Sequence, residues 1–102
     1  VIVPAAFNTV TGAAHWELLL RSRAMDAQLF TAGICPARNE KGYIAYGHSL
    51  ACSPWGEVLA EADYDPETVL VQMDFQKVQD VRDQLPLFPA RRDDLYELKW
   101  LK

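Results

Sequence analysis

The sequence predicts an α/β fold in which a helix layer packs on strands. It opens on a β-branched run, Val1 to Val3. A stretch from about Ala13 to Gln28 with neither proline nor interior glycine follows, and then strand-like segments separated by turns. β-branched residues favour strands, whereas an uninterrupted stretch of helix formers favours a helix. The resulting order of strand, helix, strand, hairpin, strand, helix and extended arm is typical of an α/β protein.

Length, charge and cysteine content restrict the class of protein. With 102 residues, half of them hydrophobic, the chain fits one small domain or a piece of a larger one. Its 14 acidic and 10 basic residues argue against nucleic acid as a partner, and no apolar run is long enough to predict a membrane as one. Cys35 and Cys52 are too few for a disulfide framework and lack metal-ligand spacing. We therefore expect no metal, no cofactor and a reducing, cytoplasmic compartment.

The first three residues have the composition of the interior of a buried strand. Val1, Ile2 and Val3 are all β-branched, and Pro4 bounds the run. We therefore expect the sequence to be a segment of a longer domain.

The predicted helix carries apolar residues on two faces. Thr11 is its expected N-cap. One face carries Trp16, Leu19, Leu20, Arg23, Ala27 and Phe30. The other carries Leu18, Met25 and Leu29, which we expect to form an interface with another subunit or an absent segment. Arg23 on the more apolar face predicts an ion pair, with Asp26, Glu17 or a group outside the chain.

A hairpin is predicted after the strand "LFTAGIC" and a charged loop. Its arms run from about Ile44 to Ser53 and from Glu57 to Ala62, around Pro54-Trp55-Gly56. The first arm contains His48, Ser49 and Cys52, which resemble a nucleophile with its base. In a strand, however, His48 and Ser49 point to opposite faces, and His48 and Cys52 lie about 13 Å apart at about 3.3 Å per residue. We therefore predict no nucleophilic site in this stretch.

The last third predicts a strand, a helix and an arm. "TVLVQMDF" fits a buried strand, and "FQKVQDVRDQL" a short helix that ends at Pro86. The tail reads as an extended arm whose apolar residues need a surface to dock on: Leu87, Phe88, Tyr96 and Trp100. Its neighbouring Arg91, Arg92, Asp93 and Asp94 fit a solvated or structural charge cluster.

Three ordered blocks carry a resemblance to a known family. "PAAFNTVTGAAHWELLLRSRAMDAQLF", "YGHSLACSPWGEVLAEA" and "FPARRDDLY" resemble the C-terminal portion of the carbon–nitrogen hydrolase, or nitrilase, superfamily. Within them, Phe7-Asn8, Thr11-Gly12, "HWELL", "GHS" and "PWGEVLA" resemble the omega-amidase branch. The resemblance implies that residues 1–102 are the C-terminal portion of a single domain of that family, part of an αββα sandwich that dimerises.

The resemblance also implies a reaction. Omega-amidases hydrolyse the terminal amide of 2-oxo dicarboxylic acid monoamides such as 2-oxoglutaramate and 2-oxosuccinamate, with release of ammonia. The family uses a Glu–Lys–Cys triad, which the resemblance places upstream of these segments, so we assign no catalytic residue in this chain. The "GIC" stretch that contains Cys35 resembles the strand that leads to the family's nucleophile. It follows the "HWELLLRSRA" helix, however, whereas that nucleophile precedes the helix.

For binding, the resemblance points to the segment after the first strand. It implies that Phe7, Asn8 and Thr11 contact the small amide substrate once the domain is complete. Each has a local alternative, because Phe7 can pack, Asn8 can turn the chain and Thr11 can cap the helix. A homodimer is the expected assembly. The competing interpretation of the whole chain is a non-catalytic assembly or interaction module of the same fold.

Overall fold

Residues 1–101 are described by the computed structural model, which contains a four-stranded sheet and three helices. The strands are β1 (Ile2–Pro4), β2 (Thr31–Ile34), β3 (Leu50–Cys52) and β4 (Val58–Glu61). The helices are α1 (Thr9–Thr11), α2 (Glu17–Ala27) and α3 (Gln76–Gln84), and a π-helical stretch, Gly12–Trp16, joins α1 to α2. The predicted α/β class is confirmed.

The sheet follows the order of the chain, β1-β2-β3-β4. β1 and β2 are parallel, with Ile2 opposite Ala32, and the helical segment connects them. β3 is antiparallel to β2 and β4, and an irregularity lies between Ala51 and Cys52. The sheet therefore combines one parallel crossover with one hairpin.

The core lies between the helical segment and one face of the sheet. Trp16, Leu20 and Ala24 lie four residues apart and are buried. Gly33 of β2 faces them, and a Cβ there would overlap Leu20 and Trp16, so the helix approaches the strand closely only because this residue is glycine. The hydroxyl of Thr31 donates to the carbonyl of Leu20 at 3.1 Å and ties the strand to the helix.

The buried stripe of the helix is narrower than predicted. Leu19 is 42% exposed and Arg23 is exposed. Both line an apolar groove of about 390 Å³ that runs between α2 and the edge strand β1. Neither local candidate forms the predicted ion pair with Arg23 in the described structure: Glu17 accepts from Arg21 at 3.1 Å, and Asp26 forms no salt bridge with Arg23.

Two strand predictions need correction. The first hairpin arm begins at Leu50 and not at Ile44, because Gly47 (φ 79°) and His48 (φ 55°) take left-handed conformations that interrupt an extended chain. "TVLVQMDF" forms no strand in the described structure, and Leu70 at its centre is 92% exposed. This segment has strand composition but pairs with none of the four strands of the sheet.

The C-terminal part packs through a few contacts. Val81 of α3 is buried, Phe75 meets Phe30 edge-on at 5.7 Å, and the Gln28 amide donates to the Leu85 carbonyl at 2.6 Å. Residues 86–101 follow as an exposed arm without helix or strand. Within the arm, Arg92 bonds Asp94 at 2.6 Å and Arg91 lies 3.6 Å from Asp93, so the predicted solvated charge cluster is confirmed.

Candidate functional site

The candidate site lies where the parallel strands β1 and β2 end. The chain leaves β1 at Pro4, and the amide of Ala5 still donates to the carbonyl of Ile34 at 3.0 Å. The next residues, Ala6 to Asn8, lead directly into α1. Ligand groups in α/β folds collect at this end of the strands, and Phe7, Asn8 and Thr11 all lie there.

Asn8 is the helix cap. Its side-chain oxygen accepts from the backbone amides of Val10 (2.9 Å) and Thr11 (2.8 Å) and from the Thr11 hydroxyl (3.0 Å). The expectation that Thr11 caps the helix is therefore wrong, because the cap is Asn8, three residues earlier, and Thr11 supports that cap instead. These three bonds use the oxygen of Asn8 and leave its amide group for other contacts.

Phe7 packs and is also accessible. Its ring centroid lies 5.1 Å from that of Trp16, and the side chain is half-buried at the end of the apolar groove. The indole Nε1 of Trp16 donates to the carbonyl of His48 at 2.8 Å. The local packing role is thus observed for Phe7, and the residue remains partly exposed.

A loop at residues that the sequence predicted mostly as strand supports this segment. Residues 43–48, called the 43–48 loop below, run beside residues 6–12. The amide of Tyr46 donates to the carbonyl of Phe7 at 2.8 Å, and the Tyr43 hydroxyl donates to the carbonyl of Ala6 at 2.8 Å. A Cβ at Gly12 would overlap the Tyr46 ring. Gly12 was the available sequence signal for this close contact.

Within the apparent nucleophile set, His48 and Ser49 have separate partners and Cys52 is buried. His48 Nδ1 lies 3.2 Å from a carboxylate oxygen of Glu61, and Ser49 Oγ exchanges hydrogen bonds with the backbone of Cys35. Cys52 is fully buried, and this burial raises the pKa of its thiol. A buried, protonated thiol is a poor nucleophile. His48 is not a strand residue as predicted, yet the set still forms no nucleophilic site.

Cys35 is also buried, and its amide and carbonyl are both bound by Ser49. Within residues 1–101, no group of three or more His, Cys, Asp and Glu side chains is arranged to hold a metal ion. In the same part of the chain, every helix is too short or too polar to cross a membrane.

The residues predicted for an interface fall in two places. Leu18 and Met25 are 63% and 50% exposed on the outward side of α2. Trp55, at the hairpin turn, is also half exposed, and Arg21 Nε donates to the carbonyl of Gly56 in that turn at 2.8 Å. Leu29 lies after the left-handed Gln28, where the helical period has ended, and lines the apolar groove. These exposed apolar side chains, Leu18, Met25 and Trp55, are called the outward face below, and Trp55 was not among the predicted interface residues.

Fold, order of elements and sequence together define the family. Residues 1–83 match the family model described as "Carbon-nitrogen hydrolase", and the chain belongs to this family. It is 48% identical over 100 residues to the omega-amidase NIT2 of Bos taurus, covering 97% of this chain and 36% of that protein. The chain thus spans little more than a third of the length of this curated relative.

Solved structures agree with this assignment. Saccharomyces cerevisiae Nit3, a member of branch 10 of the nitrilase superfamily, superposes with a TM-score of 0.84 at 44% identity, over 89% of this chain and 34% of that one. The Caenorhabditis elegans NitFhit protein gives a TM-score of 0.77 at 33% identity, over 94% of this chain and 24% of that one. The sheet and helix described above are therefore a nitrilase-superfamily fold.

Proposed function

We propose that this chain is the C-terminal portion of a single carbon–nitrogen hydrolase domain with omega-amidase activity. The substrate class is the 2-oxo dicarboxylic acid monoamides of the 2-oxoglutaramate type, and the reaction releases ammonia. The observation that carries the proposal is the 48% identity to a protein named omega-amidase, spread over 97% of the chain. The motifs at residues 7–19 and 47–60 lie inside that region.

In this proposal the chemistry is supplied from outside the 102 residues. A cysteine attacks the amide carbon, a glutamate transfers the protons and a lysine stabilises the oxyanion, as the resemblance implies. The role of this chain is to form one wall of the substrate pocket. Phe7 offers an apolar surface, the amide group of Asn8 a donor, and Thr11 a hydroxyl at the start of the helix.

Assembly as a homodimer is part of the same proposal. The outward face of Leu18, Met25 and Trp55 is apolar and lies on rigid elements, next to the Glu17–Arg21 pair. A two-fold axis at this face would bury the same side chains on both subunits. The free thiols of Cys35 and Cys52 suit a reducing, cytoplasmic compartment.

A substrate panel tests the activity. The test protein is the full gene product, by which we mean the polypeptide encoded by the complete reading frame that contains these residues. We expect ammonia release from 2-oxoglutaramate and 2-oxosuccinamate with kcat/KM at least about 100-fold above that for glutamine. Glutamine carries an amine where these substrates carry the 2-oxo group, and a site with fixed polar partners rejects such an analogue strongly. Equal rates with glutamine, or none with any 2-oxo amide, would contradict the proposal.

Variants of Asn8 separate helix capping from substrate binding. Asn8→Ala removes the cap and should lower the unfolding free energy by about 1 kcal/mol. Asn8→Asp keeps the capping oxygen and should keep the stability, but it replaces the amide donor with a negative charge facing a substrate that carries a carboxylate, so KM should rise about tenfold or more. Thermal unfolding and steady-state kinetics of the full gene product measure the two effects. If the stable Asp variant had an unchanged KM, Asn8 would cap the helix without contacting the substrate.

A further inference from the structure

The 43–48 loop lies between the proposed substrate wall and the rest of the fold. On one side it contacts residues 6–12, through the bond from the Tyr46 amide to the Phe7 carbonyl and the bond from the Tyr43 hydroxyl to the Ala6 carbonyl. Asn8 and Ala45 also form an isolated antiparallel bridge. The position of the Phe7 backbone thus depends on the position of this loop.

On its other side the loop is held by the segment after β4 and by Arg38. The amide of His48 donates to the carbonyl of Asp63 at 3.1 Å. The Arg38 guanidinium donates to the carbonyls of Ala45 (3.3 Å) and Tyr46 (3.2 Å), and it stacks over the Tyr64 ring at 4.4 Å. These contacts hold the backbone of the loop. A side chain of the loop also links it to the sheet.

That side chain is His48. Its ring stacks on Tyr46 with centroids 4.3 Å apart, and its Nδ1 lies 3.2 Å from Glu61 on β4. A carboxylate only accepts, so Nδ1 carries the proton in this bond. Its backbone is left-handed at φ 55°, a conformation that residues other than glycine adopt only when their surroundings hold them there. The Trp16 bond to its carbonyl and the Glu61 bond to its ring are such restraints.

We propose that His48 is a positioning residue for the substrate wall. Its bond to Glu61 fixes the 43–48 loop on the sheet, and the loop in turn fixes the backbone of Phe7 and the start of the helix at Asn8. His48 itself contacts neither substrate nor the reacting atoms. The inference rests on the proposed function, in which Phe7, Asn8 and Thr11 form the wall.

Three variants of the full gene product test the role of His48, and a fourth variant serves as the control. His48→Ala removes the ring and the bond to Glu61. Glu61→Ala removes only the partner, from a side chain that is 40% exposed, and therefore carries the test if His48→Ala does not fold. His48→Asn places an amide donor near the position of Nδ1 and tolerates the left-handed backbone. His15→Ala, at an exposed helix position, is the matched control.

The first measurement is amide hydrogen exchange at residues 6–12 and 43–48. We expect His48→Ala and Glu61→Ala to speed exchange of the Tyr46 amide about tenfold or more, because its bond to the Phe7 carbonyl opens more often, and exchange in α3 to stay unchanged. His48→Asn should restore most of the protection. Unchanged exchange in residues 6–12 and 43–48, or an equal rise along the whole chain, overturns the proposal.

The second measurement is the kinetics with 2-oxoglutaramate. Small displacements of a wall residue lower the fraction of bound substrate in a reactive position, so kcat should fall about tenfold in His48→Ala and Glu61→Ala and recover in His48→Asn. Normal kinetics together with faster exchange would also overturn the proposal. If the wild-type protein hydrolyses no 2-oxo amide, the proposed function fails by itself, and the exchange data alone then decide whether His48 holds the Phe7 segment.

Discussion

Replacing Trp16 by alanine is expected to cost about 3–5 kcal/mol of unfolding free energy, as for other fully buried tryptophans. Trp16 is 2% exposed and connects four parts of the molecule: Phe7 by ring packing, His48 by its Nε1 bond, Gly33 by close contact, and Leu20 within the core. A domain of ordinary stability has only about 5–15 kcal/mol in total. Urea unfolding of the full gene product, followed by circular dichroism, measures the loss.

Two further variants make this test specific. Trp16→Phe keeps an aromatic ring but leaves the His48 carbonyl without its donor, and it should cost about 1–3 kcal/mol. Leu19→Ala, at the neighbouring but 42% exposed position, should cost clearly less than Trp16→Ala. If all three variants unfolded at the same urea concentration as the wild type, the packing of the helix on the sheet would be wrong.

Changing Met25 to glutamate is expected to weaken self-association of the full gene product by about 100-fold or more. Met25 is 50% exposed beside the hairpin turn, and burying an apolar side chain of this size contributes about 1.5–3 kcal/mol. In a two-fold interface each change occurs twice, and two new carboxylates face each other across the axis. Sedimentation velocity over a range of concentrations measures the dissociation constant.

Met25→Leu is the matched control, because it conserves volume and should leave the dissociation constant nearly unchanged. An unchanged oligomer in Met25→Glu would remove this face from the interface. It would leave the fold and the proposed activity untouched, since Met25 is not part of the core cluster that contains Trp16 and Leu20.

Much of the fold could be predicted because the hydrophobic periodicity and the turn residues indicate it directly. The β-branched start, the helix that runs on to Ala27 and the Pro54–Gly56 turn each follow from local rules, and each is present in the structure. The family assignment followed from ordered motifs and is confirmed by the match over residues 1–83.

Other features depended on contacts that are distant in sequence. The break at His48 is held by Trp16, Asp63 and Glu61, none of which a local pattern identifies. Asn8 is the cap because a short α1 and a π-helical stretch precede α2. A pattern with a single helical period does not predict this combination of helices. The segment around Leu70 has the composition of a strand, but whether such a segment pairs is decided by its neighbours.

The same limit applies to the candidate site. Phe7, Asn8 and Thr11 were selected from motifs, and the structure places them together at the strand ends. The 43–48 loop was not selected, because its role arises from hydrogen bonds to the backbone of Ala6 and Phe7. Every residue type has these backbone groups, so the sequence does not identify such bonds. The glycine at position 12, which faces the Tyr46 ring, was the nearest available signal.

The most direct test of the central claim is ammonia release from 2-oxoglutaramate, measured for three proteins. We predict that the full gene product with both Cys35 and Cys52 replaced by alanine retains its rate within about threefold, because both thiols are buried and neither has a base beside it. The full gene product without the cysteine that the resemblance places upstream should lose at least about 1,000-fold, as expected for removal of a nucleophile. The purified 102-residue chain should show no turnover. Turnover by that chain, proportional to its concentration, or loss of activity in a folded Cys35 and Cys52 variant, would contradict the account.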